Sequence, residues 1–425
     1  MPKNPENLIT LPQKLYVADV RTLYSQCKHM VDFRGYSELY LDAEEMELAF
    51  PDTMLPIVAL MQRYQEDGVR IRLKLPRNAA LAQHFVNCNW AHLIDPTQPL
   101  GDRDNGRDLP THVFANGQTQ HRLVNLAIDR ILRTTTHLSR EHLSAIEWSL
   151  NEITDNVLVH SASTEAEMTA KATGHGLMQL SIRRASQEIE YVVADSGLGI
   201  PHSLRTCVNS DWDDRTALTE AIKEGVTRGT GMGNGLYGSF RICATSGGAF
   251  TINSGRAYLS WMRSGHVRVE GDHRFFPGTA VMAAISYARP LVLAEALRFR
   301  DRPWIPVDHI ETTYEDQEDG VIMFPLATEA EALGSRRCAA NVRTKLCNLI
   351  AMAQAKRAII DMAEVPLLSS SFADEVFGKM ALALGREGFE RLVVFRACSD
   401  TNRSLIARAI DARLFQASAT LDRSH

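Results

Sequence analysis

The chain lacks a long apolar run, an excess of basic residues and any Cys-x-x-Cys pair. No stretch approaches the roughly 20 apolar residues that a membrane helix takes, so no membrane span is expected. Lys plus Arg number 46 against 51 for Asp plus Glu, a formal net charge of −5. That balance gives no footprint for nucleic acid. The 7 cysteines are scattered and odd in number, which suits reduced, mostly buried thiols in a cytoplasmic protein. Met1-Pro2-Lys3-Asn4-Pro5-Glu6 carries none of the apolar run of a signal peptide. What is present is ordinary for a globular protein: 45% hydrophobic and 23% charged residues over 425 positions. That length calls for about two to four domains.

In the first third, Leu15-Tyr16-Val17 and Met30-Val31-Asp32-Phe33 read as short strands. Pro51–Gln65 reads as a helix with Leu55, Val58, Leu60 and Tyr64 apolar, although Pro56 argues for a later start. Val69–Leu75 alternates strictly and reads as a strand with one wet face. A helix around Ala79–Val86 completes a small α/β unit over residues 1–110. His84 and His92 are lone histidines without a chemical partner in the pattern. Asp95–Pro110 is rich in turn formers and reads as a linker. Gln118–Arg133 then reads as a helix, so the middle domain, residues 111–290, is expected to open with helices.

The most informative stretch is Ser149–His160. Leu143, Ile146, Leu150, Ile153 and Val157 recur at spacings of three and four, one apolar stripe of a helix that Ser139 can cap. Glu152, Asn156 and His160 stack four apart on another face, an acid, an amide and an imidazole able to meet a metal and a phosphate together. Two strands follow, Gly176–Ile182 and Glu188–Asp195, the second ending in Asp195-Ser-Gly197-Leu-Gly199. Glycines there permit a tight turn and close approach of backbone to a ligand, and the aspartate can accept from an exocyclic amine. A helix is expected over Arg215–Val226. Gly229-Thr-Gly231-Met-Gly233-Asn-Gly235-Leu236 then feeds a helix, Leu236–Thr245. Freed backbone N–H groups and a helix start make this an anion nest. It is neither a Gly-x-x-x-x-Gly-Lys-Ser/Thr loop nor a dinucleotide fingerprint following a strand. Ala249–Ile252 and Ala257–Trp261 read as a hairpin about the turn Asn253-Ser254-Gly255, and Pro277–Ile285, with Gly278-Thr279, as a last strand.

In this order the four stretches resemble the ATP-binding domain shared by gyrase, heat-shock chaperones, histidine kinases and MutL (the GHKL type), the anti-sigma serine kinases most of all. The resemblance spans Gln118–Tyr287 and implies an α/β sandwich, helices on a mixed sheet, with ATP and Mg²⁺ as cofactors. By this resemblance Asn156 coordinates the Mg²⁺, Glu152 is the general base or orients water, and His160 approaches the phosphates. Asp195 and Thr279 hold the adenine, Gly197 and Gly199 shape its pocket, and Gly229, Gly231, Gly233, Gly235 and Leu236 take the phosphates. Pro201–Arg228 becomes a lid. His137 and His142 are the nearby candidates for a phosphoacceptor histidine, and neither His-Leu-Ser-Arg nor His-Leu-Ser-Ala looks like that acceptor's motif.

After a linker over residues 291–320, strands and helices alternate through 321–425: strands at Val321–Phe324, Ala358–Met362 and Leu392–Phe395, helices at Ser335–Ala355, Phe372–Leu384 and Asn402–Ala412. Val321–Leu414 resembles the STAS domain of anti-anti-sigma proteins, in the STAS-like variant marked by Ser371-Phe372-Ala373-Asp374-Glu375. Ser370 and Ser371 are candidates both for a helix cap and, by the resemblance, for phosphorylation. The first third has the same strand–helix rhythm and reads as a diverged second copy. Together these readings imply an Mg-ATP-binding signalling protein, a serine/threonine kinase or slow ATPase in a partner-switching system. The alternative is a non-catalytic, nucleotide-gated interaction module. A protein partner is expected, as regulator or phosphoacceptor, and a homodimer is open to the chain.

Overall fold

The structure is a computed structural model and describes residues 6–101, 108–161, 175–226, 233–262, 265–316, 318 and 320–421. The chain divides into two compact units: Met1–Ala127 with Ala145–Ile305, and Ile128–Ser144 with Pro306–His425.

The first unit begins with a three-stranded parallel sheet, β1 (Leu8–Thr10), β2 (Glu38–Asp42) and β3 (Arg70–Lys74), in that order. Leu39, Leu41, Ile71 and Leu73 alternate into its core. Around it lie α1 (Val17–Lys28), α2 (Pro51–Glu66), α3 (Ala79–Asn87) and α4 (Trp90–Ile94). Neither expected strand forms: Leu15 and Tyr16 lead into α1, with Tyr16 as its extended N-cap and Val17 as its first residue, and 30–33 is helical. Val20, Leu23 and Cys27 are buried at helical spacing on α1, and His29–Phe33 adds a π turn to its end. Helix α2 starts at Pro51 and runs through Pro56; Pro51 sits where no N–H partner is needed, and burial of Met54, Leu55, Ile57 and Val58 outweighs the one bond lost at Pro56.

Next comes a five-stranded sheet of β4 (Leu109–Phe114), β5 (Gly176–Arg183), β6 (Glu188–Asp195), β7 (Ala249–Trp261) and β8 (Val267–Ser286), in the order β4-β5-β6-β8-β7. Every pairing is antiparallel rather than mixed; for β5–β6 and β7–β8, which are hairpins, no other sense is possible. The sheet opens with β4, not with a helix. Pro110 disguises this strand as loop, yet β4 is an edge strand, where proline is tolerated. Strand β7 runs unbroken through Asn253-Ser254-Gly255, expected as a turn. Gly255, at φ +60, forms a bulge instead, and the register slips between Ser254↔Thr279 and Gly255↔Phe276.

The helices of this part are α5 (Gly117–Thr134), α6 (Arg140–Ser161), α7 (Ile200–Cys207), α8 (Asp214–Ala221) and α9 (Gly235–Ser246). Helices α1 and α2 pack on one face of the sheet, against β5, β6 and β8. Alternation decides which side chains go there: Val192, Ala194, Ala280 and Met282 join the core with α1 and α2, whereas Val193, Asp195, Thr279 and Val281 turn to the opposite face. A buried polar hub ties α4 to the five-stranded sheet. Gln179 Oε1 accepts from Trp90 Nε1 at 2.8 Å and from Thr111 Oγ1 at 2.9 Å.

The second unit has its own three-stranded parallel sheet, β9 (Val321–Pro325), β10 (Arg357–Asp361) and β11 (Val393–Arg396). Strand order and sense are those of β1–β3. Among its helices are α10 (Arg336–Met352), capped by the Ser335 hydroxyl, α11 (Ser370–Ala373), α12 (Lys379–Leu392) and α13 (Asp400–Leu421). A π turn, Asp374–Gly378, joins α11 to α12. Inside this unit Lys345 is buried, with Nζ 2.5 Å from Asp129 and 2.6 Å from Glu329. Arg133 joins the same two carboxylates, and Asn348 donates to the free carbonyls of Leu132 and Thr135 at 2.8 and 2.7 Å, which serves the end of α5. No described helix is long and apolar enough to cross a membrane.

Candidate functional site

One cavity of the first unit gathers residues from four distant stretches. It is lined by Ile153, Asn156 and Val157 of α6, Val193 and Asp195 of β6, Ile200 of α7, Leu236 of α9, and Thr279 and Val281 of β8. Helix α6 presents them because the rest of its apolar stripe is anchored elsewhere: Leu143, Ile146 and Leu150 are buried. Gln120 of α5 donates to the Thr154 hydroxyl at 2.8 Å and fixes the helix roll. The wall is mostly apolar, with the polar groups Asn156, Asp195 and Thr279 set into it, the usual make-up of a small-molecule site.

Asp195 ends β6 opposite Thr279. Its carboxylate accepts the Gly197 N–H at 2.7 Å and the Thr279 N–H. Burial pushes its pKa up to about 6, against the pull of those two donors. Gly199 stands just before α7 at φ +81. Gly278, at φ +89, lies so close to the backbone of Asp195 that a side chain there would collide with the Asp195 carbonyl. This close approach lets β6 and β8 bring Asp195 and Thr279 side by side.

Glu152 is half-buried one turn before Asn156. Burial, and then the negative charge of Asp155, raise its pKa. It lies against Gly235, the first residue of α9. The Asn234 side chain makes no cap to α9, so its own cap residue leaves the N–H groups of the first turn to other partners, where the helix is partially positive. Gly233 is described at φ +68. Gly229 and Gly231 lie outside the described residues, as does the side chain of His160, although His160 is on α6. Of the candidate residues, the structure therefore brings Asn156, Asp195, Leu236 and Thr279 to one cavity and places Glu152 beside Gly235.

Sequence reasoning missed Ser254, which underlies Thr279: its hydroxyl donates to the Gly278 carbonyl at 2.7 Å and accepts from Ile200 N–H at 3.0 Å. The apolar lining residues Val193 and Val281 were also unassigned; strand period 2 running from Asp195 and Thr279 marks them.

In the second unit the helix cap is Ser369, whose hydroxyl accepts from Phe372 N–H at 3.0 Å. Ser370 and Ser371, expected to share that role, fall in the first turn, Ser370 exposed and Ser371 half-buried. The two acids of the signature face away into ion pairs. Asp374 takes Arg413 at 2.5 and 2.7 Å, which holds its carboxyl below the usual range. Glu375 is buried and pairs with Arg343 and Lys379 at 3.3 and 2.7 Å.

Residues 340–403 match the family model of the STAS-like domain of unknown function, DUF4325. No curated protein matches the chain. The C-terminal domain is thus STAS-like, and its signature acids are cross-links between helices.

Proposed function

We propose that the chain is an Mg-ATP-binding regulatory protein, with a GHKL-type nucleotide domain in its first unit. The observation that carries this reading is the cavity itself: Asn156, Asp195, Leu236 and Thr279, separated by up to a hundred residues or more of chain, line it together. Asp195 and Thr279 would hold the adenine edge, and Asn156 the magnesium that arrives with the nucleotide. The glycine stretch from Gly229 to Gly235 and the uncapped start of α9 would hold the phosphates. Bound Mg²⁺ would supply charge neutralisation at the phosphoryl group. Glu152, desolvated and beside Gly235, would accept a proton from a hydroxyl or water.

The preferred activity is phosphoryl transfer to serine or threonine, or slow hydrolysis. The STAS-like domain is the preferred contact for a protein partner, and Ser370 and Ser371 are its candidate acceptors. The N-terminal sheet shares the strand order and sense of the STAS-like sheet, which supports a diverged second copy. The test is incubation of the pure chain with labelled Mg-ATP, alone and with candidate partners, followed by phosphosite mapping. Glu152→Ala should retain nucleotide and lose turnover. Wild type that binds ATP yet neither hydrolyses nor transfers it would favour the nucleotide-gated interaction module.

A further inference from the structure

Ser254 makes three polar contacts with one proton to give. It is fully buried on β7, directly across from Thr279. Its Oγ lies 2.7 Å from the Gly278 carbonyl oxygen, 3.0 Å from Ile200 N and 3.2 Å from Thr279 Oγ1. A carbonyl oxygen can only accept, so the single Ser254 proton goes to Gly278. A backbone N–H can only donate, so Ile200 donates to Ser254. The remaining contact, with Thr279, then has no proton left on the serine side. The Thr279 hydroxyl must donate to Ser254, which turns its hydrogen out of the cavity and leaves its lone pairs facing in.

The ionised Asp195 carboxylate beside it is also an acceptor only. The neighbouring wall, Ile153, Val157, Val193, Ile200, Leu236 and Val281, is apolar. Two acceptors side by side accept an amino group and repel an oxo group, and a site of that kind discriminates strongly because the wrong ligand leaves buried polar atoms unpaired.

We propose that Ser254 is a specificity-determining positioning residue. By holding the Thr279 hydroxyl as an acceptor, it makes this cavity choose a 6-amino purine nucleotide over its 6-oxo counterpart. The inference rests on the nucleotide reading of the cavity. The bulge at Gly255 gives the arrangement its support: Arg21 of α1, itself buried, donates to the carbonyls of Gly255 and Ala257 at 3.3 and 2.7 Å, one residue from Ser254.

The test compares Mg-ATP with Mg-ITP, which differ at the 6-position, on the full chain by calorimetry. Wild type should prefer ATP by about a hundredfold or more, and Ser254→Ala should narrow that ratio by roughly tenfold, because Thr279 becomes free to rotate and donate. Thr279→Val removes the hydroxyl at nearly constant volume and should narrow the ratio as well; it decides the matter if Ser254→Ala does not fold. A wild-type ratio near one, or an unchanged ratio in either folded variant, overturns the proposal while leaving nucleotide binding intact. Wild type that binds neither nucleotide overturns the nucleotide reading and this inference with it.

Discussion

Glu152 and Gly235 are packed so closely that a methyl group on Gly235 would stand 2.5 Å from Glu152 Oε2 and 3.3 Å from its Cβ. The carboxylate end can swing away, and alanine is a better helix former than glycine. Gly235→Ala should therefore leave stability unchanged or slightly raised while displacing the carboxylate. Turnover is expected to fall by roughly tenfold or more, since misplacing a reacting group by about 1 Å has effects of that order. ATP affinity should change less. Single-turnover rates beside equilibrium titrations separate the two.

Asn156 lines the cavity one helical turn beyond Glu152. With Asn156→Ala, the gain in ATP affinity that Mg²⁺ confers on wild type should disappear, a drop of about tenfold or more. Affinity measured in excess chelator should hardly move. An equal drop with and without Mg²⁺ would assign Asn156 to the nucleotide rather than to its metal.

Asp195 sets a pH signature. Its pKa in the folded protein is pushed up to about 6 by burial, above the ordinary carboxylate value of about 4. The folded state then holds a proton that the unfolded state has released between those values. Stability of the free protein from this group is greatest at low pH and is lost as pH rises from about 4 to about 6. Nucleotide binding is expected to run the other way, because on the proposed reading an exocyclic amine would need the ionised carboxylate. Affinity should rise by about tenfold from pH 5 to pH 7, and Asp195→Asn should flatten both profiles. Calorimetry and denaturant midpoints across that range check the pair.

Arg21 supports the β7 bulge from below. Arg21→Met keeps the aliphatic stem and leaves the carbonyls of Gly255 and Ala257 without their buried donor. A loss of about 2 kcal/mol or more is expected from the urea midpoint.

Lys345 holds two carboxylates in the second unit, Asp129 and Glu329. Removing one partner of a buried ion cluster leaves unpaired charge behind, with losses of roughly 3 kcal/mol or more. Lys345→Met should show this as a lower melting temperature of the full chain, with Asn348→Ala a milder version of the same effect.

Much of this architecture could be read from single segments. The stripe on α6 identifies its own buried face, and Val69–Leu75 announces β3 by alternation. The segments misread are those whose meaning is set by a neighbour. Asn253-Ser254-Gly255 has turn chemistry, and a positive φ at Gly255 serves a turn or a bulge equally well; only the pairing with β8 decides for the bulge. Pro110 argues against a strand unless the strand lies at an edge. Ser369, Ser370 and Ser371 are equivalent as sequence, and the capping role falls to the one whose backbone is extended. At the candidate site, Asn156, Asp195 and Thr279 stand out by their motifs, whereas Ser254 acts only through a cross-strand contact that no local pattern encodes.

The most direct test of the account is calorimetric titration of the full chain with ATP in the presence of Mg²⁺. Saturable heat with one nucleotide per chain, weakened by about tenfold or more in Asp195→Ala, is the expected result. A folded protein that gives no heat of binding at millimolar ATP would contradict it.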